Sequence, residues 1–171
     1  VHQVEQLVHL LLVLAKSPER LHESDEEFNL DGLVPEIVTD HQHLIQGKTL
    51  KLELCALSAA RLRAPPAIVQ VAISNLLRNA IENSNQGAVQ VSMEPAGVVR
   101  IQDSGQGMSA EEISRVYATQ ARSGKRSGGQ GIGLALIARI CEHLSWRLEV
   151  QSMHDQGTLV ILDLRSSMLP T

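Results

Sequence analysis

The sequence predicts a two-layer α/β sandwich in which a mixed, mostly antiparallel sheet carries its helices on one face. Helical and strand-like segments alternate along the chain, and turn residues separate the later strands at hairpin spacing. Of the 171 residues, 43% are hydrophobic, which is enough for one compact domain with its own core. A short bundle helix is predicted to precede this domain.

The first residues predict a helix of a coiled coil or four-helix bundle, because their apolar residues follow 3-4-3 spacing. A helix of this length is marginal alone, so it should pack on its own domain or on a second copy of itself. An ordinary amphipathic surface helix is the alternative. The seam residues are Val4, Leu7, Leu11 and Leu14. The predicted parts of the chain are this helix (1–17), a polar linker (18–26) and the main domain (27–171).

Capping residues, prolines and apolar alternation predict the elements of the domain in order. Asp31 is expected to cap the first helix, and proline in the first turn opens the second. Ser109 and Glu112 form a capping box for a short helix. The predicted strands are 27–30, 49–54, 88–93, 98–102, 147–151 and 158–164, and the longer predicted helices are 31–46, 65–83 and 132–144.

Composition excludes several classes of function. The formal net charge is −4, and the chain has one Phe, one Tyr and one Trp, so neither charge nor stacking favours binding to nucleic acid. Cys55 and Cys141 lack CxxC spacing, which favours a reduced, intracellular setting. The longest apolar run, residues 10–15, is far shorter than the roughly 20 residues that a membrane span needs.

Three asparagines lie on one face of the predicted helix 65–83. Asn75, Asn79 and Asn83 are spaced i, i+4 and i+8, although asparagine is unfavourable inside helices. A solvated polar face would explain them in a helix that stood alone. An amide oxygen is also a hard ligand, which suits Mg²⁺ bound to phosphate oxygens.

A second polar patch, Asp103-Ser104-Gly105-Gln106-Gly107, follows the predicted strand 98–102. A buried aspartate can accept a hydrogen bond from the exocyclic amine of adenine. Gly105 and Gly107 allow a sharp turn and a close approach to a flat ligand. For this patch alone, a strand-to-helix turn is an equally good explanation.

The third patch is a glycine-rich loop that leads into the predicted helix 132–144. Gly129, Gly131 and Gly133 would offer backbone N–H groups and a positive helix end to phosphate. Lys125 and Arg126 add positive charge nearby. The loop is not a Walker A sequence, since it lacks the first glycine and the final Ser/Thr. Together the patches supply a magnesium ligand, an adenine acceptor and a phosphate cradle, which predicts an ATP site.

These patches in this order, followed by Gly157 and Thr158, resemble the asparagine box and two glycine boxes of the Bergerat-fold ATPases. That superfamily contains sensor histidine kinases, DNA gyrase B subunits, heat-shock clamp chaperones and MutL mismatch-repair proteins. Over about residues 27–165 the chain most resembles the catalytic ATP-binding domain of a bacterial sensor histidine kinase. Residues 1–16 resemble the end of the second dimerisation helix, and Asn75 stands where the hydrolytic branches have a water-activating glutamate.

The resemblance implies ATP and Mg²⁺ as ligands and a role for each patch. Asn79 would bind Mg²⁺, with Asn75 on the same face. Asp103 would bind adenine, supported by Thr158 through a water molecule, and residues 118–130 would form a lid. The implied ATP-binding residues are Asn75, Asn79, Asn83, Asp103, Gly105, Gly107, Lys125, Arg126, Gly129, Gly131, Gly133, Leu134 and Thr158.

Two positions depart from the family pattern. Many members have lysine and an aromatic residue where this chain has Glu82 and Asn83, so one phosphate contact and one stacking contact on adenine are missing. The phenylalanine-rich box is reduced to Val116-Tyr117. We therefore expect ordinary or weak ATP affinity and a loosely held lid.

The resemblance implies transfer of phosphate from ATP to a histidine of a dimerisation and phosphotransfer domain, and then to the receiver domain of a response regulator. Neither His2 nor His9 is followed by an acidic residue, so neither fits the acceptor. The resemblance further implies the cytoplasmic part of a membrane-bound sensor, with dimerisation through residues 1–16. The alternatives are a hydrolytic ATP-driven clamp, a serine kinase of the anti-sigma type, and a nucleotide-binding module without activity.

Overall fold

The computed structural model of the chain describes residues 5, 8–9, 12–13, 15–105, 111, 129–153 and 156–170. The main layer is a five-stranded sheet, in which one edge strand runs parallel to its neighbour and the other neighbouring strands are antiparallel. In spatial order its strands are β2 (Thr49–Leu54), β4 (Gln86–Glu94), β5 (Val98–Gln102), β7 (Gly157–Asp163) and β6 (Arg147–Met153). The predicted two-layer α/β fold is confirmed.

Among the described residues, the second layer contains the helices α1 (Leu30–His41), α2 (Pro66–Glu82) and α3 (Gly129–Leu144). A separate two-stranded sheet pairs β1 (Glu26–Asn29) with β3 (Arg61–Ala64). Helix α2 is central, because it contacts both α1 and α3 and buries ten of its 17 residues. Its two ends therefore have fixed positions relative to the strands.

The core forms where alternate strand residues face the helices. Val91, Ile101, Val160 and Val150 are register partners across four strands, so they form one apolar row. The predicted β4–β5 hairpin is confirmed, and Ala96 and Gly97 in its turn have positive φ angles of 72° and 80°. Such a turn matches the twist of the two strands.

Two predictions at the entry to the domain are wrong. Asp31 does not cap α1, because the helix begins at Leu30; its Oδ1 instead accepts a hydrogen bond from the N–H of Ala60 (3.1 Å). The α-helix ends at His41 and continues as a 3-10 helix, Gln42–Ile45, rather than running on to residue 46. Strand β3 was not predicted, since four residues with two arginines give no clear alternation.

The segment predicted as a linker is anchored to the domain. It contains a 3-10 helix, Pro18–His22, which contacts α3, and its Leu21 is 2% exposed within the core. The Ser17 N–H donates to the Val13 carbonyl oxygen (2.8 Å), so the preceding helical residues lead directly into this turn. The division into helix, linker and domain stays a prediction, and the four predicted seam residues lie outside the described part. None of the helices that the structure describes is long and apolar enough to cross a membrane.

Leu21→Ala is expected to lower the free energy of unfolding by about 2–5 kcal/mol, because it leaves a cavity against α3. Leu57 is 43% exposed, so Leu57→Ala is a matched control that should change stability by less than about 0.5 kcal/mol. Urea unfolding measures both. Equal values for the two variants would show that residues 18–22 are not anchored.

Candidate functional site

The described site residues lie on the C-terminal half of α2, at the start of α3, directly after β5 and at the start of β7. Strand β5 ends at Gln102, which pairs with Leu159 of β7, so Asp103 lies directly beside Thr158. The N–H of Asp103 donates to the carbonyl oxygen of Thr158 (2.9 Å), which extends this ladder by one bond. The antiparallel pairing therefore brings together two residues that are 55 positions apart in sequence.

The carboxyl group of Asp103 is held by two backbone groups. Its Oδ1 accepts hydrogen bonds from the N–H groups of Gly105 (2.9 Å) and Thr158 (3.1 Å). The side chain is 6% exposed, and burial raises the pKa of this carboxyl, while the two backbone bonds act in the lowering direction. No residue that the structure describes donates a hydrogen bond to Oδ2. One carboxylate oxygen thus fixes the turn, and the other can accept a hydrogen bond from a different donor.

Glycine allows two close backbone approaches at this carboxyl group. A Cβ at Gly105 would overlap the carbonyl oxygen of Asn83, and a Cβ at Gly157 would overlap that of Asp103. Gly157 also has a φ of 88°, which other residues rarely adopt. These approaches press the turn at Asp103 against the end of α2 on one side and the start of β7 on the other.

Two serines that the sequence analysis did not single out support this turn. Ser104 Oγ donates to the carbonyl oxygen of Gln86 (2.6 Å), which ties the turn to the start of β4. The hydroxyl of Ser152 lies 3.0 Å from that of buried Thr158 and also donates to the Gly157 carbonyl oxygen (3.1 Å). The available signal for the second serine was its position directly after the predicted strand 147–151, which forms a hairpin with the strand that begins at Thr158.

The asparagines of α2 differ in burial. Asn75 is 5% exposed, Asn79 is half-buried, and Asn83 is exposed. The prediction that all three lie within the helix is wrong for Asn83. Helix α2 ends at Glu82, and Asn83 is its C-cap, with its N–H donating to the Asn79 carbonyl oxygen (3.0 Å). Its main chain packs on Gly105, so the helix end and the Asp103 turn meet at this residue.

Helix α3 begins at Gly129, three residues before the predicted start at 132. Gly129, Gly131 and Gly133 therefore belong to its first turns rather than to a loop. Glycine is required at the last of these, because a Cβ at Gly133 would lie 2.7 Å from Nδ2 and 2.9 Å from Oδ1 of Asn75. The next residue, Leu134, is buried in the core. The missing side chain lets α3 approach α2 closely enough to bury the Asn75 amide.

The amide of Asn75 is the least satisfied polar group at this contact. Its Nδ2 is buried and has no hydrogen-bond partner among the residues with described positions. An unsatisfied buried donor costs about 1–3 kcal/mol. A donor of this kind beside the first turns of a helix suits an anionic ligand.

Asn79 offers a hard oxygen ligand at the same place. Its side chain is half-buried, and within the described ranges no residue hydrogen-bonds its amide. Those ranges contain no cluster of three or more His, Cys, Asp and Glu residues that could hold a metal ion. The chemistry therefore fits a cation that is bound mainly by its ligand's oxygens, as Mg²⁺ is by phosphates.

Several predicted site residues lie outside the described residues, and their roles stay predictions. They are Gly107, Lys125, Arg126 and the lid residues 118–128, and of the short helix expected after Ser109 only residue 111 is described. From Asn75 to the C-cap Asn83 the described site extends over eight residue steps along α2, or about 12 Å. It has a carboxylate acceptor at one end and amide groups with a helix start at the other. That length and polarity suit a ligand with a flat base and an anionic tail.

Asp103→Asn is expected to match or exceed the wild-type free energy of unfolding at pH 7. The pKa of Asp103 is raised in the folded protein, so its ionisation opposes folding, and this loss of stability sets in as pH rises above the unfolded-state value of 3.8. Asparagine keeps an Oδ1 for both backbone N–H groups and carries no charge. Urea unfolding at pH 7 and pH 4 measures the difference in free energy of unfolding between the variant and wild type. Any excess in the stability of the variant should be smaller at pH 4. A variant less stable than wild type at pH 7 would contradict this assignment.

Comparison with known proteins identifies the family. A family model described as histidine kinase-, DNA gyrase B-, and HSP90-like ATPase matches residues 65–168. The phosphate regulon sensor protein PhoR of Pseudomonas aeruginosa is 27% identical over 165 residues, which cover 91% of this chain and 37% of that protein. The chain thus spans little more than a third of the length of this relative.

Solved structures share the fold. The cytoplasmic segment of histidine kinase QseC has a TM-score of 0.68 at 21% identity, covering 95% of this chain and 92% of that chain. Full-length ShkA in complex with AMPPNP has a TM-score of 0.72 at 17% identity, covering 86% of this chain and 32% of that chain. At these identities the likeness concerns the fold alone.

The family match runs from α2 through β7 and so includes both helices and both strands that build the site. The fold agrees with that of the solved kinase structures. On this evidence the chain belongs to the histidine kinase-, DNA gyrase B-, and HSP90-like ATPase family.

Proposed function

We propose that this chain is the ATP-binding catalytic domain of a sensor histidine kinase. The observation that supports this most is the carboxyl group of Asp103, whose Oδ1 is held by two N–H groups while Oδ2 has no described donor. It lies at one end of the α2 face that carries Asn75 and Asn79. The match to a sensor protein and the ATP analogue in the ShkA structure support the same proposal.

Each end of the site has a distinct task in this proposal. Oδ2 of Asp103 accepts a hydrogen bond from the adenine amine, and Gly105 lets the turn that carries Asp103 pack on Asn83. At the other end, the buried amide of Asn75 and the first turns of α3 bind the phosphates. Asn79 binds Mg²⁺, which neutralises phosphate charge when present.

The amide at position 75 favours phosphotransfer over hydrolysis. Hydrolytic members of the family need a carboxylate base to activate water, and an amide cannot accept that proton. Buried Asn75 therefore holds the nucleotide without promoting attack by water. The γ-phosphate remains available for a histidine that another domain supplies.

The proposal extends to partners in the whole protein. The acceptor histidine belongs to a dimerisation domain of the same protein, and phosphate then passes to the receiver domain of a response regulator. Val8 and Leu12 are 51% and 50% exposed, are both helical and lie four positions apart in sequence, which suits packing against a partner helix. The domain would act in the cytoplasm as part of a membrane-bound sensor.

Calorimetric titration with ATP in the presence of Mg²⁺ is expected to show saturable 1:1 binding. Asp103→Asn should weaken it about tenfold or more, because its amide group presents a donor to the adenine amine. Asp163→Asn is a matched control, since Asp163 lies at the other end of β7 and pairs with Arg165 (2.6 Å). Equal affinity of wild type and Asp103→Asn would refute the base-binding role.

Incubation with labelled ATP tests the phosphotransfer step. The isolated chain is expected to gain no acid-labile phosphate, because the two histidines of its predicted dimerisation helix, His2 and His9, lack the acidic neighbour of an acceptor histidine. A longer chain that includes the dimerisation domain should become labelled, and Asn79→Ala in that chain should reduce the labelling. Acid-labile label on the isolated chain would contradict the assignment of the acceptor to another domain.

A further inference from the structure

Helix α2 carries an ion pair, Arg78–Glu82, to which the proposed nucleotide site has so far given no role. Residues 75, 78, 79 and 82 are spaced i, i+3, i+4 and i+7, so they share one side of the helix. Nε of Arg78 lies 3.9 Å from Oε1 of Glu82. The Arg78–Glu82 pair therefore lies beside the proposed nucleotide site, between the end formed by Asp103 and the end formed by the Asn75 amide.

Stabilisation of the helix does not account for this pair. Glu82 is the last residue of α2, where the helix dipole disfavours negative charge. An arginine four residues before a glutamate is also the weaker order for such a pair. Lys48 already supplies positive charge at this end, since its Nζ donates to the Ile81 carbonyl oxygen (3.3 Å).

Arg78 keeps hydrogen-bonding capacity in this arrangement. Its Nε is buried and has no hydrogen-bond acceptor in the described part of the chain, and a separation of 3.9 Å from Glu82 is too long for such a bond. The guanidinium group favours paired bonds to carboxylate or phosphate oxygens. A side chain with unused donors next to Asn75 and Asn79 therefore suits the anionic part of the ligand.

We propose that Arg78 binds the phosphate chain of the nucleotide and that Glu82 holds its guanidinium group until the nucleotide arrives. Binding exchanges the long Arg78–Glu82 contact for hydrogen bonds to phosphate oxygens. Pairing with Arg78 also compensates the negative charge that Glu82 places near the phosphates. This inference rests on the proposed ATP site and assigns the selectivity for phosphorylated nucleotides over nucleosides to one residue.

Parallel titrations with ATP and with adenosine test the proposal. Arg78→Ala should weaken ATP binding about tenfold or more and change adenosine binding by less than about twofold. Glu82→Gln should strengthen ATP binding, because it removes a competitor for Arg78. Arg63→Ala removes an exposed arginine of β3 and is expected to leave both affinities unchanged. Circular dichroism confirms that each variant is folded.

The double variant Arg78→Ala/Glu82→Gln separates direct contact from charge compensation. If Arg78 only compensates Glu82, the double variant regains wild-type affinity for ATP, which would overturn the proposal. Direct contact predicts that the double variant stays at least about threefold weaker than wild type. Unchanged ATP affinity in Arg78→Ala overturns this inference alone, whereas a wild-type chain that binds neither ATP nor adenosine overturns the proposed function and this inference with it.

Discussion

The two hydrogen bonds to Oδ1 of Asp103 are the constraint on which the rest of the site depends. The N–H groups of Gly105 and Thr158 hold this oxygen at 2.9 and 3.1 Å, so the end of β5, the following turn and the start of β7 are fixed together. The same turn packs against Asn83 at the end of α2. A buried carboxyl group that opposes folding when ionised needs a compensating role, and the proposed binding of adenine by its second oxygen supplies one.

The opposite end of the site depends on how closely two helices approach. Because Gly133 has no side chain, α3 approaches Asn75 of α2 closely and buries its side-chain amide. The Nδ2 of that amide has no hydrogen-bond partner among the described residues. Arg78 adds a second buried donor without a described acceptor on the same helix. Unsatisfied donors lower stability, so two of them on one face indicate a surface shaped for an anionic ligand.

The sequence predicts the fold class, the strands of the main sheet and the three polar patches, because these depend on local alternation and on residue types with specific chemistry. It does not predict where Asp31, Leu21 or Asn83 lie, since each position is decided by contacts with distant parts of the chain. Asp31 accepts a hydrogen bond from Ala60, Leu21 packs in the core beside α3, and Asn83, the C-cap of α2, packs on Gly105. The glycines that the sequence analysis assigns to a loop form the first turns of α3 instead. The reason for glycine at position 133 is contact with Asn75, which is 58 positions earlier in the sequence and so gives no local signal.

Carbon-13 NMR of the Asp103 carboxyl group, followed through a pH titration with and without adenosine, tests the central claim most directly. Without ligand, burial should keep the pKa of Asp103 above the ordinary value of 3.8. With saturating adenosine, the pKa should fall, because the amine of the base donates to Oδ2 and favours the ionised form. An Asp103 resonance that adenosine leaves unchanged would show that this carboxyl does not bind the base.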